Sequence, residues 1–321
     1  TSIEAYGISI GEKAKVDMPF MCELTGKSEE EIYEELKGVI FLNPAYDENG
    51  GSVSKYLPAD EYLSGNVRTK LREAKRLAEN DERFMVNAQA LEKVQPVDLK
   101  ANEIEVHLGV TWLPPEIIDR FMYETFQTPY YTRSSIKVHY NELANVWNIT
   151  NKSADNINLT VTQKYGTSRK NAFHILEATL NLRNVRVFDY EEDENGKRVA
   201  VLNKKETAIA QAKQELIKQT FKEWIWKDPE RREKLCKLYN EKFNSIRPRE
   251  YDGSHIVFEG MNPEITLRTH QKNAVARGIY GSNTLLAHCV GAGKTYTMAA
   301  IAQESKRLGL CSKSLFVVPN H

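Results

Sequence analysis

The sequence predicts an α+β chain, largely helical, with a winged-helix-like start and the beginning of an α/β phosphate-loop lobe at its end. Three patterns carry that prediction. Near the head, two short helical segments parted by Gly26 precede two apolar runs around a glycine-rich turn. Through the middle, apolar residues recur at helical spacing over long stretches. Near the tail, an apolar run leads into Gly291-Ala292-Gly293-Lys294-Thr295 and then into a helical pattern. With 321 residues the chain exceeds one typical domain, and it divides into a winged-helix-like module at 1–65, a helical α+β accessory region at 66–250 and the phosphate-loop lobe at 251–321.

The composition, 41% hydrophobic and 27% charged, suits ordinary globular cores, and a formal net charge of zero announces no polyanionic partner. Cys22, Cys236, Cys289 and Cys311 are scattered, which argues against a disulfide scaffold or structural zinc and for a reducing, cytoplasmic setting. No apolar run has the length of a membrane span, and no signal sequence opens the chain. Thr1 in place of Met reads as a cut N-terminus. Charge is uneven: residues 1–100 hold 13 Lys and Arg against 19 Asp and Glu, a net of −6, while residues 204–250 hold 13 against 8, a net of +5. An acidic head and a basic middle suggest different partners, although solvated helix faces would read the same way.

In order along the chain, "MPFMCELTG" predicts a helix closed by Gly26, and Ser28 caps a second in which Ile32 and Leu36 face inward and Gly38 ends the run. "GVIFLNPAYDENGGSVSKYL" predicts a wing. Glu29, Glu30, Glu31, Glu34 and Glu35 would oppose phosphates, so the module reads as structural or protein-binding rather than a DNA reader. Two helices follow, with stripes Val67-Leu71-Ala74-Ala78 and Met85-Ala88-Leu91, the second ended by Pro96. Pro114-Pro115 starts a helix that turns Ile117, Ile118, Phe121 and Met122 inward. "KVHYN" reads as a strand, "SRKNAFHILEATLNL" as a helix, and "VRVFDYEEDENGKRVAVL" as a hairpin turning near Asn195-Gly196. One long helix runs from about Lys205 to Trp226; the next is capped by Asp228, with Pro229 at its first position. Arg247-Pro248-Arg249 and "YDGSH" read as a linker.

The chemistry lies in "NTLLAHCVGAGKTYTMAA". An apolar strand at Thr284–Ala287, a glycine loop and a helix from Thr295 burying Met298, Ile301 and Ala302 are the context of a phosphate-binding loop. Gly291, Ala292 and Gly293 would aim backbone N–H groups at phosphates, aided by the helix dipole. Lys294 would reach the β- and γ-phosphates of ATP, and Thr295 would place its hydroxyl on Mg2+. His288 replaces the first glycine of the general pattern.

That departure has a parallel. "LLAHCVGAGKT" resembles the Swi/Snf-type ATPases of helicase superfamily two, with His288 and Cys289 at their Asp and Glu, and Gly291, Gly293, Lys294 and Thr295 matching. "LRTHQKNAV" resembles that family's adenine-reading segment, with Gln271 at its glutamine 23 residues before Lys294, and "KSLFVVPNH" resembles its next strand motif. The full string looks especially like the helicase parts of large DNA methylase–helicase proteins of bacterial mobile elements. The resemblance implies a RecA-like lobe, ATP and Mg2+ as cofactors, translocation on double-stranded DNA, and as partners a second helicase lobe and a methylase domain in a longer parent chain. The family's D-E-x-H motif and arginine finger would follow His321, so the chain reads as a truncated piece that holds ATP without hydrolysing it.

Other features pull less. Asn43-Pro44-Ala45-Tyr46 is one letter from a DNA adenine methylase signature, but no glycine-rich methyl-donor loop precedes it and a turn explains it. Arg231, Arg232, Lys234 and Lys237 form the candidate nucleic-acid cluster, while Trp224, Trp226, Tyr239 and Phe243 beside them have core spacing. The alternative is a non-enzymatic accessory or protein-contact module of a larger DNA-modifying protein; a nucleotide kinase is disfavoured by Gln271.

Overall fold

The computed structural model describes residues 1–46, 53–192, 198–281 and 283–318. It divides into two compact units, Thr1–Val97 with Ser245–His321, and Asp98–Asn244. Residues 66–97 fall in the same compact unit as the head.

The first unit opens on α1 (Ser2–Lys13), which the sequence reading missed, then α2 (Met18–Thr25) and α3 (Glu29–Glu35). Asp17 caps α2 and Gly26 closes it in the left-handed conformation; Ser28 and Glu31 form a capping box on α3. Helix α3 ends at Leu36, before Gly38, because the chain must turn at once into β1 (Ile40–Leu42). Antiparallel β2 (Tyr56–Pro58) completes the wing, with Phe41 opposite Leu57; the expected turn at Gly50-Gly51 lies outside the described residues. Ile40 and Leu42 face Met21, Ile32 and Leu36, whereas Phe41 faces Tyr62, Val67 and Leu91. Strand alternation thereby places β1 between two cores.

After the short α4 (Ala59–Tyr62) and β3 (Gly65–Asn66), α5 (Val67–Ala78) and α6 (Met85–Lys93) pack together. Ala88 and Leu91 are buried as expected, but Met85 is exposed because its turn opens the helix at the edge of the pair.

In the second unit, α7 (Pro115–Thr125) buries Ile118, Phe121 and Met122. Hairpin β4 (Val138–Asn141) and β5 (Val146–Ile149) is held by α8 (Ala172–Leu180), after which Asn181 both accepts from and donates to the Trp147 backbone. Strands β6 (Phe188–Glu192) and β7 (Arg198–Leu202) form the next hairpin; its turn near Asn195-Gly196 lies outside the described residues. Helices α9 (Lys204–Ile225) and α10 (Pro229–Phe243) follow, with Asp228 capping α10. The core gathers Phe121, Phe126, Phe173 and Phe221, and the rings of Phe121 and Phe221 meet edge to face at 5.1 Å.

The chain then returns to the first unit. The expected linker is instead built in: β8 (Ile246–Arg247) pairs antiparallel with β3, and Arg249 bridges Asp60 at 2.8 Å and Glu61 at 3.2 Å. Helices α11 (Thr269–Tyr280) and α12 (Lys294–Arg307) pack closely, with a β-carbon on Gly278 falling 2.7 Å from Ile301. Thr284–Ala287 and the run before Pro319 form no strand, and Leu285 and Val317 are exposed. A parallel strand takes its ladder from neighbours, and among the described residues none pairs with either segment.

Candidate nucleotide site and nucleic-acid surface

The glycine loop is shaped by local stereochemistry. Gly291 and Gly293 have φ of 83° and 79°, left-handed values that an L side chain resists. They turn the chain into α12, whose first residue is Lys294. Lys294 folds back over the loop, its Nζ donating to the His288 carbonyl at 2.9 Å and the Cys289 carbonyl at 3.1 Å. Thr295 is exposed at the helix start. Buried Thr297 donates to the Gly293 carbonyl. Met298 is exposed, contrary to expectation, while Ile301 packs on α11: the helix turns its Ile301 side toward that single neighbour and leaves Met298 uncovered.

Gln271 is brought to the loop, but in a role the sequence did not foretell. It is 5% exposed; its Oε1 accepts from the Arg268 N–H and its Nε2 donates to the Gly293 carbonyl at 3.1 Å. A β-carbon on Gly293 would sit 2.4 Å from that Nε2, so a side chain there would displace the Gln271 amide in addition to straining φ. His270, missed by the sequence reading, holds the next carbonyl: its Nε2 lies 3.0 Å from the Ala292 oxygen, which makes that nitrogen the protonated one. The signal was present in "THQ", two polar side chains at the head of a helix, but only the fold shows that both meet the loop. The buried Nδ1 of His288 has no partner among the described residues.

A phosphate chain fits this arrangement. Open space lies beside Gly291, the helix N-terminus contributes its dipole, and Lys294 can exchange two carbonyl contacts for phosphate oxygens. Thr295, exposed at the head of α12, carries the hydroxyl that could ligate Mg2+ there. Between Pro263 and His321 the only carboxylates in the sequence are Glu264 and Glu304. Glu304 is buried and bound to Arg307 at 2.8 Å, far along α12 from the loop. Among the described residues no cluster of three or more His, Cys, Asp or Glu is poised to hold a metal.

The basic cluster on α10 is only partly a surface. Arg231 is 3% exposed; its guanidinium donates to the Ile225 and Trp224 carbonyls and stacks 3.5 Å from the Trp224 ring centre. It caps the carbonyl end of α9 and is withdrawn from any nucleic-acid contact. Arg232 reaches the Trp226 carbonyl through Nε while remaining exposed, Lys234 pairs with Glu230 at 2.6 Å, and Lys237 is exposed. Trp224, Trp226 and Tyr239 pack against the core, whereas Phe243 is exposed. In the head, Asn43 closes its own turn, donating to the Ser54 carbonyl and accepting from the Ala45 N–H, as the turn reading requires.

Comparison with known families gives three matches. Residues 1–53 match a family described as the winged-helix domain of a probable helicase. Residues 107–245 match a domain of unknown function, and residues 264–321 match the res subunit of type III restriction enzymes. No curated protein and no solved structure matches the chain. The chain therefore carries helicase-related regions at its head and tail, the latter of a helicase-like ATPase kind that depends in general on ATP and Mg2+. Among the described residues no helix is long and apolar enough to cross a membrane.

Proposed function

We propose that this chain is the nucleotide-gripping part of an ATP-dependent, helicase-like DNA translocase of Swi/Snf type, acting in the cytoplasm within a larger methylase–helicase protein of a bacterial mobile element. The observation that carries the nucleotide reading is the loop itself: two left-handed glycines deliver the chain into α12 with Lys294 folded over the turn. Lys294 and the amides of Gly291, Ala292 and Gly293 would bind the phosphates, Thr295 the Mg2+, and Gln271 would hold the loop in register, turning to the adenine only by exchanging its bonds to Arg268 and Gly293. Double-stranded DNA would lie along the exposed Arg232, Lys234 and Lys237. The second helicase lobe and the methylase domain are the partners that this reading requires.

The 321-residue chain is expected to bind ATP weakly and not to turn it over, since Glu304, the carboxylate of α12, is buried against Arg307 and not free to hold the metal and orient water. Calorimetric titration of ATP–Mg2+ should show binding that Lys294→Ala abolishes. A steady-state phosphate-release assay with DNA should read background. Turnover that depends on Lys294 would place a catalytic carboxylate where this reading has none.

A further inference from the structure

The second unit displays a feature that neither the nucleotide loop nor the α10 cluster uses. Tyr130 and Tyr131 are adjacent and 86% and 81% exposed. Large aromatic surface in water is unfavourable, and a rigid pair of rings is a common binding element. The turn that bears them is fixed from several sides. The Thr132 hydroxyl and N–H both donate to the Pro129 carbonyl, and the Arg133 Nε donates to the Thr128 carbonyl at 2.9 Å. The Tyr123 hydroxyl, from α7, ties down the carbonyls of Arg133 and Ile136 at 2.8 and 2.6 Å. The two rings thus project from a backbone already ordered before any partner arrives, which lowers the entropic cost of binding.

The segment that carries the pair is basic, although Arg133 shares a cleft with Glu116, Asp119 and Glu124 on α7. Residues 126–176 hold six Lys and Arg against two carboxylates, Glu142 and Asp155. Asp155 is 7% exposed and accepts from the Asn158 amide, so it adds little negative surface. Lys137 and Lys152 are answered by Asp119 and Glu177, and Arg169 by Asp189. Among the described residues Arg133 and Lys164 have no carboxylate within salt-bridge distance: Arg133 lies over the Tyr123 ring, and Lys164 lies over Tyr165, which packs on Phe126 at the start of the same loop. Exposed rings on a turn that also bears Arg133, with Lys164 on the segment packed against Phe126, match a ligand with flat apolar faces on a polyanionic chain.

We infer that Tyr130 and Tyr131, with Arg133 and Lys164, form a stacking platform for single-stranded nucleic acid, bases lying on the rings and phosphates on the cations. Every base offers a π-face, so such a platform is indifferent to sequence and prefers unpaired strands, whose bases are free to leave their own stack. A protein partner would meet the cations with carboxylates instead of phosphates, and the absence of oligo-dT binding is the outcome expected of it. The inference does not rest on the nucleotide site and survives if that reading fails.

The test uses the whole chain, a fluorescein-labelled 20-nucleotide oligo-dT and a 20-base-pair duplex, with anisotropy read at two salt concentrations. Tyr130→Ala/Tyr131→Ala should weaken oligo-dT binding at least tenfold and duplex binding less than twofold. Tyr130→Phe/Tyr131→Phe, which keeps the rings, should remain within threefold of the parent. Lys164→Gln should make the salt dependence shallower. The platform is overturned if the alanine pair binds oligo-dT as the parent does, if the phenylalanine pair loses as much as the alanine pair, or if the parent shows no oligo-dT binding at low salt.

Discussion

At the scale of single residues, the phosphate loop distinguishes two glycines that look equivalent in sequence. Gly291 and Gly293 share a left-handed φ, but only at Gly293 does a neighbour stand where a side chain would go. Gly291→Ala should therefore cost only the backbone term, about 1–2 kcal/mol. Gly293→Ala should cost more, because Gln271 must give up its bond to the Gly293 carbonyl. Thermal unfolding of the two variants without nucleotide checks the order; equal losses would mean that Gln271 does not hold the loop. Gln271→Ala should loosen the loop and also weaken any preference for ATP over GTP. A preference left unchanged in competitive titration would remove Gln271 from adenine recognition and leave it a tether.

At the scale of elements, two helices show what spacing can and cannot reveal. Asp228-Pro229 was legible as a cap followed by a first helical residue, and the structure has both. What that cap does to Arg231 was not legible. Starting α10 so soon after α9 folds the arginine back onto the last carbonyls of the preceding helix, a contact between residues six and seven apart that no helical wheel of either helix contains. Arg231→Ala should thus destabilise the protein by about 2–3 kcal/mol, because it removes the buried donor to the Ile225 carbonyl and the stack on Trp224. Arg232→Ala should cost about 0.5 kcal/mol, as for an exposed side chain. Chemical denaturation resolves that difference.

Helix α3 carries the second lesson. Its carboxylates looked like a face repelling DNA, yet Glu29, Glu31, Glu34 and Glu35 each have partners inside the head. Burial pushes the Glu29 carboxyl up, but hydrogen bonds from Lys55 and Tyr56 outweigh it and hold it below its ordinary 4.5. A lowered folded pKa means stability present above the unfolded value and lost as pH falls through the folded one. Glu29→Gln should lower stability by about 0.5–1 kcal/mol at pH 7, given the partial exposure of the pair. The gap to the parent should narrow as pH falls below the ordinary carboxylate value and close only below the lowered folded one, where the parent's own carboxyl is neutral. Melting temperatures across that range decide it, and a gap that persists in acid would assign the loss to packing.

At the scale of the whole molecule, local order was readable where the chain's own neighbours dictate it: caps, amphipathic stripes, the wing, the glycine loop. Long-range returns were not. Nothing in "SIRPRE" announces that β8 will pair with β3, or that Arg249 will find Asp60 and Glu61 nearly two hundred positions earlier. Nor could the apolar runs around the loop reveal whether strands exist beside them, since a parallel strand is defined by its neighbours.

The same distinction reshapes the DNA prediction, because charge counted along the sequence overstates the available surface. Of the four cations chosen on α10, Arg231 is committed to α9, so three remain. Duplex binding should be weak, indifferent to sequence and steeply lost with salt, as counterion release would supply most of its free energy. Arg232→Gln, Lys234→Gln and Lys237→Gln combined should reduce affinity and flatten the logarithmic salt dependence by about 2–3, roughly one per phosphate contact removed. Removing residues 1–65 as a control is ruled out by the fold, since Gly65 pairs with Arg247 and the deletion would open that ladder. Glu30→Lys/Glu34→Lys on α3 is the better control: if the acidic head stays clear of DNA, added positive charge there leaves the slope unchanged. A steeper slope in that variant, with the α10 triple variant behaving as the parent, would make the winged-helix module the DNA contact and α10 a solvated face.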